Sequence, residues 1–292
     1  MPSKKPHISK SRIGSLLRCE AAFGYHYGMG YTAPPKWIMA WGLSFEHGCN
    51  LNWRQKETTG ENIPIGDVID AARDDLHQKS DSLEVIWDPG VDVDVATDRM
   101  ALALKTFNDE LGFRVQPVEG GVQKHIEVEF KGQDWVLDNY IDLVAKDGLD
   151  GAWEGRKLMH REGDPPVGPC IIDVKTTGKS GGWKGSDVEA TWDPVIYDVA
   201  MHAAGITPGG FEFHISRHKN GAHWMKEPKT QIFSVRVNPT MRAGLLKLLL
   251  RFKAKNDYII ETGITVPNYG WACKGCGFRR LCRKDFGREP PK

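Results

Sequence analysis

Residues 170–177 read Cys-Ile-Ile-Asp-Val-Lys-Thr-Thr. A short run this rich in β-branched residues predicts a buried strand, and hence a chain built around a sheet. Side chains alternate faces along a strand, so Asp173 and Lys175 project to one side while Val174 enters the opposite packing layer. A carboxylate and an ammonium on one face of a strand end make poor core residues. They are well suited to holding a divalent cation beside a phosphate and steadying a water next to it. Asp-x-Lys on its own is more often a salt bridge at a strand end, so its meaning rests on the surrounding chain.

A chain of 292 residues forms one large domain or two small ones and can bury a sizeable core. Its 40% hydrophobic and 26% charged content is ordinary for a soluble globular protein. The longest apolar cluster, Leu245 to Leu250, is interrupted by Lys247 and falls far short of a membrane span of about 20 residues. The basic N-terminus lacks the apolar segment of a secretory signal, so a cytoplasmic location is expected. The net charge of +1 conceals an asymmetry: residues 1–19 and residues 271–292 each carry +5, on a body of −9. If the two ends met, they would form a local anion-binding surface; otherwise they are solvated tails.

Residues 9–27 predict a helix capped by Ser9 or Ser11, with Ile13, Leu16, Leu17 and Ala21 on one stripe and Cys19 within it. Helices are expected at 36–57, which includes His47, and near 66–80 and 96–111. From residue 122 the period becomes two. Val122, Ile126, Val128 and Phe130 mark one strand, residues 131–133 a turn, and 134–146 the returning strand. In that return Trp135, Leu137, Ile141, Leu143 and Ala145 should share a face, which sends Asp142 the other way with Asp138 and Tyr140. A long loop or extended hairpin is expected at 147–169. After strand 170–176 come a Gly/Ser/Lys linker, a helix at 187–204 whose true start lies near Asp193 because of Pro194, and strands at 210–217 and 230–237. Asn238-Pro239 then opens a helix running to 262. Gly178-Lys179-Ser180 is not a phosphate-binding loop, because Asp173 stands where that motif needs Gly.

Cys273, Cys276 and Cys282 form Cys-x2-Cys-x5-Cys in a basic segment. Closely spaced thiols of this kind favour metal ligation over disulfides in an intracellular protein. Four ligands are needed, and Cys19 is the best candidate for the fourth; the spacing suits zinc and iron–sulfur alike. Cys49 and Cys170 lie among core-like residues and are expected to be small hydrophobes.

These motifs, in this order, resemble the RecB-like branch of the PD-(D/E)XK nuclease superfamily. Within it the chain is similar to members with an iron–sulfur staple, such as CRISPR-associated RecB-like nucleases and the AddB nuclease domain. The start Ser9-x-Ser11-x-Ile-x-x-Leu-Leu-x-Cys19 matches their first cluster cysteine, and Cys273, Cys276 and Cys282 match the last three. His47, Asp142 in Ile-Asp-Leu-Val, Asp173-Val-Lys175 and Tyr197 follow in the family's order over nearly the whole chain. There are departures. Gly42 lies five before His47 instead of four, so Glu46 falls at the aligned place. Asn139 stands where the family has Gly, Asp193 replaces the Gln of Gln-x3-Tyr, and the Asp142–Asp173 spacing is long.

The resemblance implies a single domain over 1–292 with an α/β, restriction-endonuclease-like fold. Its mixed central sheet (about 120–237) would be flanked by helices, including a helical N-terminal part at about 9–115. A C-terminal helix and cluster segment at 239–292 would join the two ends of the chain through a [4Fe-4S] cluster on Cys19, Cys273, Cys276 and Cys282. Asp142, Asp173, the Val174 carbonyl and His47 would hold Mg²⁺ or Mn²⁺. Lys175 would orient the attacking water and stabilise the transition state, and Tyr197 would lie on the substrate side. Asp138 takes the place of Asp142 if the strand register slips, and Glu127 and Glu129 are further acidic candidates. The partner expected is DNA, single-stranded or at ends. Trp37, Trp41 and Trp183 are candidates for base stacking, although core packing suits most of the ten tryptophans. A different class of reading is a catalytically silent, cluster-bearing DNA-binding or assembly module on the same scaffold.

Overall fold

The computed structural model describes residues 5–111, 113–148, 168–220, 223–270, 273 and 276–287. The expected 147–169 connection therefore lies almost wholly outside the described residues. Six strands form one mixed sheet: β1 (His7–Ile8), β2 (Pro117–Glu129), β3 (Val136–Ala145), β4 (Cys170–Thr177), β5 (Gly210–Asn220) and β6 (His223–Val235). β2 and β3 form the antiparallel pair that their alternating pattern predicts, and β4 runs parallel to β5 along its whole length. β5 and β6 continue as an antiparallel ribbon longer than the sequence pattern suggests.

Helices cover both faces. On one, α1 (Lys10–Arg18), α7 (Asp193–Ala203) and α8 (Pro239–Thr262) pack with Ile171, Phe211, Phe213 and Ile215. On the other, α3 (Trp37–Thr59), α4 (Ile65–Ser82) and α5 (Val93–Glu110) pack with Leu143, Ile172 and Val174. α3 and α4 approach closely at Gly48, where a Cβ would stand 3.1 Å from the Ala72 methyl group and from the Val68 carbonyl. Two short helices, α2 (Glu20–Phe23) and α6 (Gly185–Glu189), and the C-terminal α9 (Arg279–Phe286) complete the set used below.

Two local departures from the sequence pattern shape the molecule. First, the expected helix 9–27 breaks at Cys19, which is extended (φ −165°, ψ 117°) between α1 and α2, and the chain then continues as a π-helical turn at Gly24–Gly28. Second, Trp135, Leu137, Ile141, Leu143 and Ala145 do not share a face. Trp135, Leu137 and Ile141 enter the α7–α8 core, whereas Leu143 and Ala145 enter the α3–α5 core. The strand changes its inward face across Asp142, so strict alternation fails at that residue. Elsewhere the core is as expected: Cys49 and Cys170 are buried, and among the described residues no helix is long and apolar enough to cross a membrane.

Candidate active site

β3 is flanked on one side by β2. Its other edge is shared by β1, which pairs with Val136 and Leu137, and by β4, which pairs with Leu143 to Ala145. Between these two neighbours the β3 edge forks open. Asn139 fills part of the fork, accepting a hydrogen bond from the Lys10 backbone N–H at 2.9 Å. Antiparallel pairing sets Leu143 against Ile172. The ladder ends at that pair, and Asp142 and Asp173 are the next residues of the two strands at the mouth of the fork. There the Asp142 carboxylate accepts the Val174 N–H at 2.9 Å through its side-chain oxygen.

Asp173 is wholly buried at the bottom of the fork. Lys10 Nζ lies 3.0 Å from its Oδ1, and Lys175 forms an ion pair with its Oδ2. Asp193, at the start of α7, lies 3.3 Å from Lys10 and 3.6 Å from Lys175. The Lys10 ammonium also sits 4.6 Å from the ring centroid of the buried Tyr197. Two acids and two lysines thus share one low-dielectric space, where charges act on one another strongly.

Asp142 and Asp173 respond in opposite directions. Burial pushes the Asp142 carboxyl up to about 7, and the charges of Asp173 and Glu46 add to the rise. Burial would raise Asp173 as well, but Lys10 and Lys175 outweigh it and hold that carboxyl below the usual range. Both lysines are raised despite burial, chiefly by Asp173. Burial raises the Tyr197 hydroxyl well above its ordinary value, with Asp173 adding to it, so the phenol is neutral and serves as no base near pH 7.

His47 is not part of this group. It is exposed on α3, and its charge acts on Asp75 of α4. Glu46, one residue earlier, points into the sheet side instead: it accepts from Gln123 Nε2 at 2.7 Å and its charge reaches Asp142. A helix turns about 100° per residue, so only one of these neighbours can face the fork. The residue expected as the metal ligand is His47, although the Gly42 spacing puts Glu46 at the family's aligned place. Lys10 carried no motif in the sequence. Its α1 is placed by Ser9, whose hydroxyl accepts the Arg12 N–H at 3.3 Å.

The acid cluster has a thiol counterpart. Cys19, Cys273, Cys276 and Cys282 line one cavity with Tyr25, Pro267, Asn268 and Arg279. The Asn268 N–H points at Cys19 Sγ at 3.4 Å. Burial raises the Cys276 and Cys282 thiols, and the charges of Cys19 and Cys273 add to that in each case. The break at Cys19 frees its side chain from the helix stripe, and Tyr25 anchors α9 by donating to Asp285 at 2.7 Å.

The expected basic wall is thinner than the composition suggests. Lys5 pairs with Glu129, Lys10 is committed to Asp173, and Arg12 donates to the His7 carbonyl and to Asn256. Among the described residues, the exposed cations near the thiols in sequence are Arg18, Arg280, Arg283 and Lys284. Trp37 and Trp41 are buried in the α3–α5 core, which removes them as base-stacking platforms. Trp183 is half-buried, with its ring centroid 5.2 Å from that of Phe213.

No family model matches the chain, and no curated protein does. Among solved structures, it is similar to a candidate exonuclease from Eubacterium rectale. The sequences are 12% identical, and the match covers 99% of this chain and 91% of that one with a TM-score of 0.49.

Proposed function

We propose that this chain is a divalent-metal-dependent DNA nuclease acting on DNA ends or single strands, of the PD-(D/E)XK, RecB-like type, with a [4Fe-4S] cluster. The observation that carries the proposal is the fork. Asp142 accepts the Val174 N–H next to Asp173, Lys175 is salt-bridged to Asp173, and the charges of Asp173 and Glu46 both act on Asp142. Burial raises the Asp142 carboxyl to about 7, the charges of Asp173 and Glu46 add to the rise, and a hard divalent cation among these three carboxylates relieves their repulsion.

When bound, Mg²⁺ or Mn²⁺ supplies Lewis-acid stabilisation of the phosphoryl group and a deprotonated water near neutral pH. Asp142, Asp173 and Glu46 are the side chains to hold it, with the backbone of Val174 close by. Lys175 faces the same space and serves to orient the water and offset charge developing on the phosphate oxygens. Lys10 and Lys175 together keep Asp173 ionised despite complete burial. Tyr197 lies beneath Lys10 and fixes its position.

The four thiols fit a cluster by their chemistry. Thiolates around one cavity repel, and a multivalent iron–sulfur centre offsets that charge; the Asn268 N–H directed at Cys19 is the kind of donor that stabilises ligating sulfur. Brown colour after oxygen-free purification, with iron and sulfide in equal amounts, is expected; zinc in their place overturns this part.

The function is tested by incubating labelled single- and double-stranded DNA with Mn²⁺ or Mg²⁺, beside Asp173→Ala. Digestion should fall at least about 100-fold in the variant, the scale of losing a preorganised transition-state contact. Equal digestion by both proteins removes Asp173 from the chemistry, and DNA binding without digestion favours a silent binding module.

A further inference from the structure

Away from the fork, β1, β2 and β3 bring two imidazoles and two carboxylates onto one solvent-facing patch. Glu127 and Asp138 are direct partners across the β2–β3 ladder. Like charges in that relation destabilise a sheet unless something positive lies between them. Among the described residues, the ionic contacts of these two acids are with imidazoles.

His7 Nδ1 lies 3.0 Å from Asp138 Oδ2 and 3.7 Å from Glu127 Oε1. One ligand atom from each of His7, Glu127 and Asp138 falls within 4.8 Å of the other two. Ligand bonds of about 2.0–2.2 Å at near-tetrahedral or octahedral angles put neighbouring donors roughly 3–3.6 Å apart. His7 Nδ1 therefore already stands near coordination spacing from both carboxylates. His125 Nε2 lies 2.7 Å from the other Asp138 oxygen, Oδ1, and its ring stacks on Tyr140. That is the arrangement in which an outer partner orients a ligating carboxylate. The side chains of His7, Glu127 and Asp138 are 35%, 50% and 26% exposed, so an ion can reach them.

We propose that His7, Glu127 and Asp138 form a second divalent-cation site, separate from Asp142 and Asp173, with His125 holding the free Asp138 oxygen. One imidazole among two carboxylates selects a borderline ion of the zinc class over Mg²⁺. The site has a structural role. β1 is only two residues long, and three residues past His7 the chain reaches Lys10, which sits on Asp173. An ion shared by β1 and the β2–β3 pair clamps the strand that delivers Lys10 to the fork. The site does not depend on the chain cleaving DNA.

Zn²⁺ titration by calorimetry and thermal unfolding of the full chain, with and without Zn²⁺, test this. Four proteins are compared: the parent, Asp173→Asn, His7→Ala and Glu127→Gln. The parent and Asp173→Asn should share one Zn²⁺ site that excess Mg²⁺ does not displace, and Zn²⁺ should raise the Tm of both by several degrees. His7→Ala and Glu127→Gln should each bind that Zn²⁺ at least 10-fold more weakly and show no such rise. The exposed Glu127→Gln change preserves side-chain shape and decides the matter if His7→Ala fails to fold. Unchanged Zn²⁺ affinity in Glu127→Gln, loss of the site in Asp173→Asn, or equal displacement by Mg²⁺ would overturn the proposal.

Discussion

At the scale of single residues, Glu46 and Lys10 are the informative side chains. Glu46 acts electrostatically on Asp142 while His47 faces Asp75, so substitutions at adjacent positions should separate cleanly. Glu46→Gln is expected to reduce Mn²⁺-dependent DNA cleavage about 10-fold or more, and His47→Ala to leave it within about twofold. A reversed order would restore the histidine as the ligand. Lys10 places a positive charge 3.0 Å from Asp173 Oδ1, where it competes with a divalent ion for the same carboxylate. Removing that charge strengthens the attraction for cations. Lys10→Met should therefore bind Mn²⁺ several-fold more tightly in direct binding measurements, and weaker binding would show that Lys10 supports the ion.

At the scale of elements, β5 carries an unusual face. Glu212, His214, Ser216 and His218 are all buried on it. His214 Nε2 meets Glu212 at 2.8 Å, and the His218 ring centroid lies 4.2 Å from that of Trp41. Burial, with Lys219 adding to it, lowers the His218 imidazole to about 4 from its ordinary 6.5. The sign of the linkage follows. Below about 6.5 the unfolded chain takes up a proton that the folded chain refuses, so stability is full above that pH and is lost as pH falls toward 4. The loss is about 3 kcal/mol at most. His218→Phe should keep the ring packing on Trp41 and flatten the acid limb of the Tm–pH curve between pH 6.5 and 4.5. An unchanged acid limb would place the titrating group elsewhere. Much of the element pattern is legible in the sequence: β2 through β6, α3, α7 and α8 fall close to where period, Pro and Asn caps predict them. β1 is not, because two residues carry no period. Nor is the break at Cys19, since an apolar helical stripe runs unbroken across it in sequence.

At the scale of the whole molecule, residues more than 250 positions apart meet in the thiol cavity. A covalent or metal link between Cys19 and the C-terminal trio restricts the unfolded chain by up to about 5 kcal/mol on a loop-entropy estimate. Cys282→Ser, or removal of the proposed cluster from the parent, should lower Tm by roughly 10 °C and release α9 to limited proteolysis. Unchanged melting would mean that α9 is held by its packing on Tyr25 alone. Arg18 lies close enough for its charge to act on Cys276, near the start of α9, so with the proposed cluster removed DNA affinity should fall and lose part of its salt dependence.

Read alone, the sequence determined the chemistry available and its order along the chain. A buried strand had to carry Asp173 and Lys175 on one face, and the thiols of Cys273, Cys276 and Cys282 had to lie near one another, because strand alternation and short spacing are local properties. Tertiary structure alone decided which distant groups join them. The face switch at Asp142, the turning of Glu46 toward Asp142 and of His47 toward Asp75, the arrival of Lys10 from α1 and the pairing of N-terminal charges with internal partners all depend on strand pairing and helix rotation. Those are set by long-range packing, to which no local pattern of residues gives a direct reading.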